Sequence, residues 1–590
     1  MALNTRVSLL GVLASVGGLV LTVACSSDSA GLSPLPSCGA HGTPLSLAVG
    51  AYTSIDPASD SGCVTFAANT AADTAEYLVL PWSTGGTPGA STPFMLQAAA
   101  PVPSISMSRA FMPSGPRSRG ATAAAFDHFL RELAINRRYL TTEQSAPLSG
   151  SAVPRSLAGP PTVGNARTFR VCANTDCSTL TNVGAVARAV GTHIAIYIDT
   201  LAPSPGLSAA DLDSLRNVFD SRLYPLDTTT FGHVSDIDSN SVVIVLMTNQ
   251  VNKLVTTATC NSDGYIAGFF FPGDLAPGFS QNYNNGEIFY SIVADSTGSL
   301  SCAHKNSEVN NVTPVTFTHE FQHMINFVEH VLVKGANRSE DGWLDEGLSK
   351  YAEELAGRSY LADADTGMFS TYAIGAVFDG YKYLLAPGDT PLLIPADNGS
   401  LAMVGASWLF TRYIVDQFGD SLPGKLVQTS LTGASNVAAQ TGQPFGQTIS
   451  NWALANWVSD LPGFAAPSEL RYTTWHFRRT FSSLHSQDAQ DFPLVYPLVP
   501  TRSAGDAVNL TGTLKSGSGA YLRAVQGGRA APSGSADSVA VCCLHRTGGA
   551  LPPQRAVART CRRPAGRWAN PWYRKATGRG WMPAPLSPTK

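Results

Sequence analysis

The sequence is poor in charged residues and lacks two common motifs. Asp, Glu, Lys and Arg make up 14% of its 590 residues, and a net charge of −3 gives no general case for nucleic-acid binding. No C-x-x-C pair occurs, which argues against a thiolate zinc site or a redox motif. No G-x-S-x-G occurs either, so a serine hydrolase is a poor hypothesis. The hydrophobic fraction of 44% supports buried cores and excludes a wholly disordered chain, a collagen-like rod or a coiled coil.

Charge is distributed unevenly along the chain. Residues 521–590 contain 12 Lys and Arg against one acid, Asp537. Residues 525–590 also contain no Ile or Phe and show no hydrophobic period, which predicts a basic, disordered tail. A shifted reading frame would also produce such an Arg- and Pro-rich end, and the sequence leaves that hypothesis open.

The first residues have the pattern of an exported protein. Arg6 precedes an apolar run over 7–24 that is rich in small residues, which predicts a signal peptide over residues 1–24. The sequence LTVAC at 21–25 resembles a bacterial lipobox, and this resemblance implies that Cys25 is acylated and anchors the chain to a bacterial membrane. A single membrane-spanning anchor over 7–24 is the alternative. In either case the protein is predicted to be extracytoplasmic, lipid-anchored or otherwise secreted, with residues 25–44 as a tether.

Cysteine usage agrees with export. Ten cysteines fit an oxidising compartment, although disulfide connectivity cannot be derived from spacing alone. Proximity in the sequence favours three pairs: Cys38 with Cys63, Cys172 with Cys177, and Cys260 with Cys302.

Local patterning divides the rest of the chain into segments. Short β-type runs between turn residues predict a small β domain over 45–98, and Pro-rich stretches around one helical period predict a linker or pro-segment-like spacer over 99–165. Strand-type patterns prevail over 166–310 and helical periodicity over 311–465. Patterning of the β type returns over 466–524, which predicts a second small β domain.

An acidic segment with the sequence DIDSN, residues 236–240, precedes an apolar run at 242–247 that predicts a strand buried on both faces. Its alternating oxygen donors suit calcium. The segment lacks the Gly and the distal Glu of a hand-type calcium loop, however. A turn that caps the strand is the alternative, and the sequence favours the turn.

The most informative segment is 313–328, with the sequence TPVTFTHEFQHMINFV. Thr313 and Pro314 suit the start of a helix. Apolar residues recur at i, i+4, i+7, i+8 and i+11 from Phe317, which predicts one buried stripe along that helix.

The same helix carries an H-E-x-x-H motif. His319 and His323 lie one turn apart on a common face, so that both imidazoles can bind one zinc ion. Glu320 points close by without sharing that line, which suits a group that contacts a water molecule rather than the metal. A helix with two surface histidines is the alternative interpretation.

A second amphipathic segment, WLDEGLSKYAEEL at 343–355, follows the motif. A catalytic zinc ion needs a third protein ligand and an open coordination position. Glu346 lies among bulky apolar residues, where a carboxylate is costly to bury unless it is paired or bound to a metal. Glu346 is therefore predicted to be the third ligand.

Together, HEFQH and WLDEGLSKYAEEL resemble the motifs of gluzincin metallopeptidases, and most of all those of the hyicolysin-like neutral metalloproteases, over about residues 166–460. With the β patterning on both sides, the resemblance implies a multidomain α+β protein. Its zincin-type catalytic domain, a mixed sheet followed by helices, would be flanked by small β-sandwich-like domains. The resemblance also implies a zinc endopeptidase that acts on proteins or peptides.

In this clan two histidines and a downstream glutamate bind zinc, and the glutamate inside the motif is the general base. The resemblance therefore implies that His319, His323 and Glu346 bind zinc and that Glu320 is the base. One departure concerns Lys350, because thermolysin-type members have an Asp at that position, where it orients a histidine.

The clan also holds its substrate along an edge strand that precedes the motif helix. The segment EIFYSIV at 287–293 fits this role, with Phe289, Tyr290 and Ser291 as the substrate-aligning residues. An ordinary interior strand is the alternative.

Two functional classes remain open at this point. One is a zinc endopeptidase, and the other is a catalytically inactive binding lipoprotein of the cell surface on a metallopeptidase fold. The intact Glu320 favours the enzyme, because a structural zinc site does not need a carboxylate at that position.

Overall fold

The computed structural model describes most of the chain from residue 45 onward. The described residues are 45–57, 63–67, 69–71, 73–98, 105–106, 121–137, 159–395, 399–504, 508–527, 540–543 and 555–560. The predicted signal peptide, the tether with Cys25, and Cys38 lie outside them. Among the helices of this described part, none combines the length and the apolarity needed to cross a membrane.

The strands of the described residues are numbered in chain order: β1 (Tyr52–Ile55), β2 (Cys63–Thr65), β3 (Ala75–Trp82), β4 (Ser91–Ala98), β5 (Ile105–Ser106), β6 (Ala166–Cys172), β7 (Leu180–Val190), β8 (Ile194–Asp199), β9 (Val243–Met247), β10 (Gly268–Phe270), β11 (Ile288–Ser291), β12 (Thr501–Ala504), β13 (Asn509–Lys515), β14 (Leu522–Gln526), β15 (Ala540–Cys543) and β16 (Arg555–Thr560). Their α-helices are α1 (Ala121–Asn136), α2 (Ala209–Val218), α3 (Tyr224–Thr230), α4 (Asn249–Asn252), α5 (Thr257–Ser262), α6 (Asn306–Phe327), α7 (Gly342–Ser359), α8 (Thr366–Leu385), α9 (Leu401–Phe418), α10 (Leu422–Val427), α11 (Gly433–Thr441), α12 (Phe445–Val458) and α13 (Phe477–Gln487).

A mixed six-stranded sheet precedes the main helices. Its strand order is β10-β11-β9-β8-β7-β6. Strands β8, β9 and β11 are parallel, and the remaining neighbours are antiparallel. Every residue of β9 is buried, as the apolar run at 242–247 predicts.

Strand β10 forms one edge of this sheet, and the segment to which the resemblance gives the edge role lies inside the sheet. Strand β11, which contains Phe289, Tyr290 and Ser291, pairs with β10 on one side and with β9 on the other. Its backbone groups are therefore taken up by the sheet, and an added peptide strand has no free edge there. The interior-strand interpretation of this segment is the one that the sheet order matches.

Helix α6 lies across β10 and β11 and begins earlier than the sequence pattern predicts. It runs from Asn306, so that Pro314 falls inside the helix instead of at its start. Val309 and Phe317, on either side of this proline, are both fully buried, so the helix packs against the core before and after it. The predicted apolar stripe is buried along its whole length, with exposed fractions of 0–1% at Phe317, Phe321, Met324, Ile325 and Val328.

The two predicted small β domains pair with each other. Residues of 45–98 and 501–526 supply seven of the ten strands in two five-stranded sheets, of order β1-β16-β3-β14-β12 and β2-β15-β4-β13-β5, and β5, β15 and β16 supply the other three. The inward side chains of both sheets share a core of their own, which contains Tyr77, Phe94, Leu510 and Leu522. Alternation along a strand predicts which side chains are buried, but it does not identify the partner strand.

Residues 466–500 differ from their predicted β-type structure. They contain α13, whose Phe477 and Phe481 lie one turn apart and are buried. The ring of Phe481 packs edge-on against Tyr381 of α8, 5.3 Å away. The strands of the C-terminal segment begin only at Thr501.

Two short parts of the predicted disordered tail are strands in the structure. Strand β15 pairs with β2 and β4, and β16 pairs with β1 and β3. The other residues of 528–590 lie outside the described residues. The described part of the chain is thus a mixed α/β protein with two hydrophobic cores.

Two of the three disulfide pairs favoured by the sequence are confirmed. Cys172 bonds to Cys177, and Cys260 bonds to Cys302. The first bridge closes the turn after β6, and the second ties α5 to the loop before α6.

Candidate metal centre

Helix α6 brings the two motif histidines together. His319 and His323 lie four residues apart, and their Nε2 atoms are 3.1 Å from each other. Both side chains are buried, with exposed fractions of 8% and 1%. This burial excludes the interpretation of two surface histidines.

Helix α7 adds the predicted third ligand. The two carboxylate oxygens of Glu346 lie 3.5 Å from Nε2 of His323 and 3.7 Å from Nε2 of His319. Neither oxygen has a hydrogen-bond partner, although the residue is only 2% exposed. Burial raises the pKa of Glu346 well above its usual value, and the nearby Asp127 carboxylate raises it further. A buried carboxylate without a donor requires compensation.

The spacing of these three side chains fits a zinc ion. Two atoms bound to one tetrahedral ion at about 2.0–2.1 Å are about 3.3–3.4 Å apart. The separations of 3.1, 3.5 and 3.7 Å lie close to that value. A zinc ion would also satisfy the two Glu346 oxygens that no donor reaches.

Each histidine has a carboxylate partner on its other ring nitrogen. Nδ1 of His319 lies 2.7 Å from Oε1 of Glu353, and Nδ1 of His323 lies 3.1 Å from Oδ1 of Asp345. Such partners fix the ring orientation and leave Nε2 free to bind a metal. Burial and Arg131 lower the pKa of His323 to about 4, so its imidazole is neutral, as metal binding requires.

Glu353 has the histidine-orienting role that the resemblance gives to an Asp at the position of Lys350. The Lys350 ammonium lies 3.0 Å from Oε1 of Glu353 and does not contact a histidine. Although burial alone would raise the pKa of Glu353, Lys350 and His319 lower it below its usual value. The carboxylate that orients His319 therefore comes from a position seven residues after Glu346, on the same face of α7.

Glu320, the glutamate of the H-E-x-x-H motif, has a hydrogen-bond partner in the sheet. Oε2 of Glu320 accepts a hydrogen bond of 2.8 Å from the backbone N–H of Phe270, in the edge strand β10. Burial raises the pKa of Glu320 to about 7. Its carboxylate is therefore able to hold or release a proton near neutral pH.

A fourth candidate ligand comes from a distant part of the chain. Asp127 of α1 forms one group with His319, His323 and Glu346, in which one ligand atom from each residue lies within 4.8 Å of the others. Its Oδ2 is 3.7 Å from Nε2 of His319. The described residues also contain a cleft of about 720 Å³ at this site, with walls that include Asp127, Gly268, Glu320 and Glu346.

Sequence reasoning missed Asp127, Asp345 and Glu353 as functional residues. Glu353 lies seven residues after Glu346, a spacing that puts two residues on one helical face and could have identified it. Asp345 precedes Glu346 directly, and only the packing of α7 against α6 shows that it faces His323. Nothing local in the spacer identifies Asp127.

The chain matches no family model. It is 30% identical over 137 residues to the "Neutral metalloprotease ShpI" of Staphylococcus hyicus, a match that covers 23% of this chain. The chain is distantly related to a metalloprotease. The matched segment spans 29% of the length of that relative.

Proposed function

We propose that this protein is a zinc-dependent endopeptidase in which His319, His323 and Glu346 hold the metal and Glu320 is the general base. The observation that carries the proposal is the pair of unsatisfied Glu346 oxygens beside the two Nε2 atoms. A carboxylate held next to this set, but not used as a ligand, distinguishes a hydrolytic site from a structural zinc site. The relationship to a metalloprotease supports the same class.

When bound in such a site, zinc acts as a Lewis acid and makes water nucleophilic near neutral pH. Glu320 accepts the proton of the attacking water and returns it to the nitrogen of the leaving peptide. The hydrogen bond from Phe270 N–H fixes the Glu320 carboxylate during both transfers. Glu353 and Asp345 keep the two imidazoles in place.

The substrate class follows from the cleft and the sheet edge. Strand β10 forms one edge of the mixed sheet, and its residue Gly268 lines the cleft together with Glu320. An extended peptide that adds to this edge brings a backbone carbonyl next to Glu320. We therefore infer that the substrates are proteins or peptides, cleaved internally.

Location outside the cytoplasm is part of the proposal. The Cys172–Cys177 and Cys260–Cys302 disulfides are typical of an oxidising compartment. Together with the signal-peptide pattern, they support an extracytoplasmic enzyme. Attachment to a bacterial membrane through a lipid on Cys25 rests on the lipobox resemblance alone.

A Glu320→Gln variant tests the catalytic role. We expect casein cleavage by the purified full-length chain to fall by about 10²–10⁴-fold, because the general base is lost, while bound zinc is retained. Asp213→Asn, whose side chain is 59% exposed on α2, is the control and should cleave casein normally. A wild type that binds zinc but cleaves no better than Glu320→Gln would favour the inactive binding lipoprotein.

A further inference from the structure

Helix α1 belongs to the spacer that the sequence sets apart from the catalytic segment, yet it packs against the candidate metal centre. Its Leu130 is fully buried, and Phe126 packs edge-on against Phe269 of β10 with ring centroids 5.1 Å apart. The helix also contacts α7 and α9. It therefore lies between the edge strand and the helix that supplies Glu346.

Arg131 of α1 forms a hydrogen bond with a backbone carbonyl of the edge strand β10. One of its nitrogens donates to the carbonyl oxygen of Phe270 at 3.3 Å, and another lies 3.4 Å from Oδ2 of Asp345. The guanidinium is 3% exposed. An extended peptide that adds to β10 needs the same carbonyl as an acceptor, so α1 and such a peptide compete for it.

Asp127 lies one turn before Arg131 and reaches the metal centre itself. Its Oδ2 is 3.7 Å from Nε2 of His319, and its Oδ1 has no hydrogen-bond partner although it is buried. Arg131 is 3.7 Å away, an ion-pair distance that orients the carboxylate without satisfying it. His319, His323 and Glu346 would fill three positions of a tetrahedral ion, and a carboxylate oxygen of Asp127, within 4.8 Å of the ligand atom of each, would fill the fourth.

These contacts conflict with a site that is permanently open. A catalytic zinc ion keeps one position for water, whereas structural sites are closed by a fourth protein ligand. Here a closing carboxylate and a general base, Glu320, are present together. A fourth protein ligand and a general base are compatible in one site if the fourth ligand can dissociate from the metal.

On the basis of the proposed function, we infer that α1 is a built-in inhibitor whose Asp127 is the fourth ligand of the metal and whose Arg131 blocks the substrate edge of β10. In this state Asp127 takes the coordination position that a water molecule needs, and Arg131 takes the backbone carbonyl that a peptide needs. Displacement of α1 opens the coordination position and the edge strand together.

The test compares Asp127→Ala and the isosteric Asp127→Asn with wild type, using full-length protein loaded with zinc or cobalt(II). Acetohydroxamate, a small ligand that must occupy the open position, is titrated by calorimetry. We expect both variants to bind it about tenfold more tightly than wild type, because a larger fraction of the molecules has an open coordination position. Peptide cleavage should increase by a similar factor, and the visible absorption of the cobalt(II) protein should change.

Glu132→Gln is the matched control, since Glu132 lies on the same helix and bonds only to Asn136 there. It should behave as wild type in all three measurements. Thermal unfolding identifies a variant that is misfolded. Because Asp127→Asn keeps the side-chain shape, its result then decides whether Asp127 is a ligand of the metal.

Equal acetohydroxamate affinity and identical cobalt spectra in wild type and folded Asp127 variants would overturn the inference. If affinity and spectrum change but no variant cleaves peptide, the inhibitory contact stands and the peptidase assignment fails. If wild type cleaves peptide as fast as both variants do, the peptidase stands and the inhibitory role of α1 fails.

Discussion

The described residues contain two clusters in which carboxylates lie close together, and the hydrogen bonds of the two clusters differ. At the metal centre, both oxygens of Glu346 lie beside two imidazole nitrogens and accept nothing. In the second cluster, Asp236, Asp238 and Glu287 also bring three carboxylates within 4.8 Å of one another. Most oxygens of this second cluster are already bound by the chain.

Backbone N–H groups of the turn and nearby side chains bind the carboxylates of the second cluster. Asp236 accepts from the backbone N–H groups of Asn240 and Ser241 at 2.9 and 3.1 Å. Asp238 lies 3.5 Å from the guanidinium of Arg167. Glu287 accepts through Oε1 from the Ser235 hydroxyl and the Ile237 N–H, and only its Oε2 lacks a donor.

This comparison shows what distinguishes a metal site from a turn that caps a strand. Carboxylates in close proximity are common to both. The candidate metal centre adds two imidazoles and oxygens that the chain leaves without donors, whereas the turn provides N–H groups and a cation of its own. Close carboxylates alone do not separate the two cases, but the imidazoles and the number of unsatisfied oxygens do.

The largest effect that we expect in a test of this difference between the two clusters is the loss of metal from the His323→Ala variant. Wild type should carry about one zinc per chain after dialysis, and the variant should lose most of it, because the loss of one imidazole ligand weakens the hold on the ion. Elemental analysis measures both. His233→Ala is the control, since that side chain is 90% exposed. Full retention of zinc by His323→Ala would contradict the assignment of this cluster as the metal site.

A smaller effect is expected from the carboxylate behind the first ligand. Glu353→Gln removes the charge that lies 2.7 Å from Nδ1 of His319, and zinc affinity should fall by about 10–100-fold. Competition with a chelating dye measures the change. Glu308→Gln, which is exposed on α6, should leave the affinity unchanged. A variant at Glu353 with wild-type affinity would show that the imidazole is oriented by packing alone.

The sequence predicts the metal centre better than it predicts the surroundings of that centre. The positions of His319, Glu320 and His323 follow from helical spacing, and Glu346 follows from the energetic cost of burying a carboxylate among apolar residues. These are local arguments, and the structure brings His319, His323 and Glu346 together. The edge-strand role predicted for Phe289, Tyr290 and Ser291 depends on sheet order, which local spacing does not contain.

Long-range packing explains the other differences. Strands β3 and β4 pair with β14 and β13 across more than 400 positions of sequence, so two segments that look separate form one sandwich. Asp127 reaches His319 because α1 docks on β10 and α7, and its apolar period predicts only that the helix has a buried face. A pattern that repeats every few residues identifies an element but not its neighbour.

The smallest expected effect concerns calcium, the ion that the sequence leaves open for residues 236–240. Since Asp236, Asp238 and Oε1 of Glu287 are already bonded within the protein, calcium must displace those partners to enter. We expect about 1 mM calcium to raise the melting temperature by less than about 1 °C, because a ligand at or below its dissociation constant stabilises only slightly. Differential scanning calorimetry with magnesium as the control ion measures this shift. A rise of several degrees that Glu287→Gln abolishes would show that one unsatisfied oxygen, Oε2 of Glu287, is enough to recruit a cation, and the distinction between the two clusters would then be one of degree.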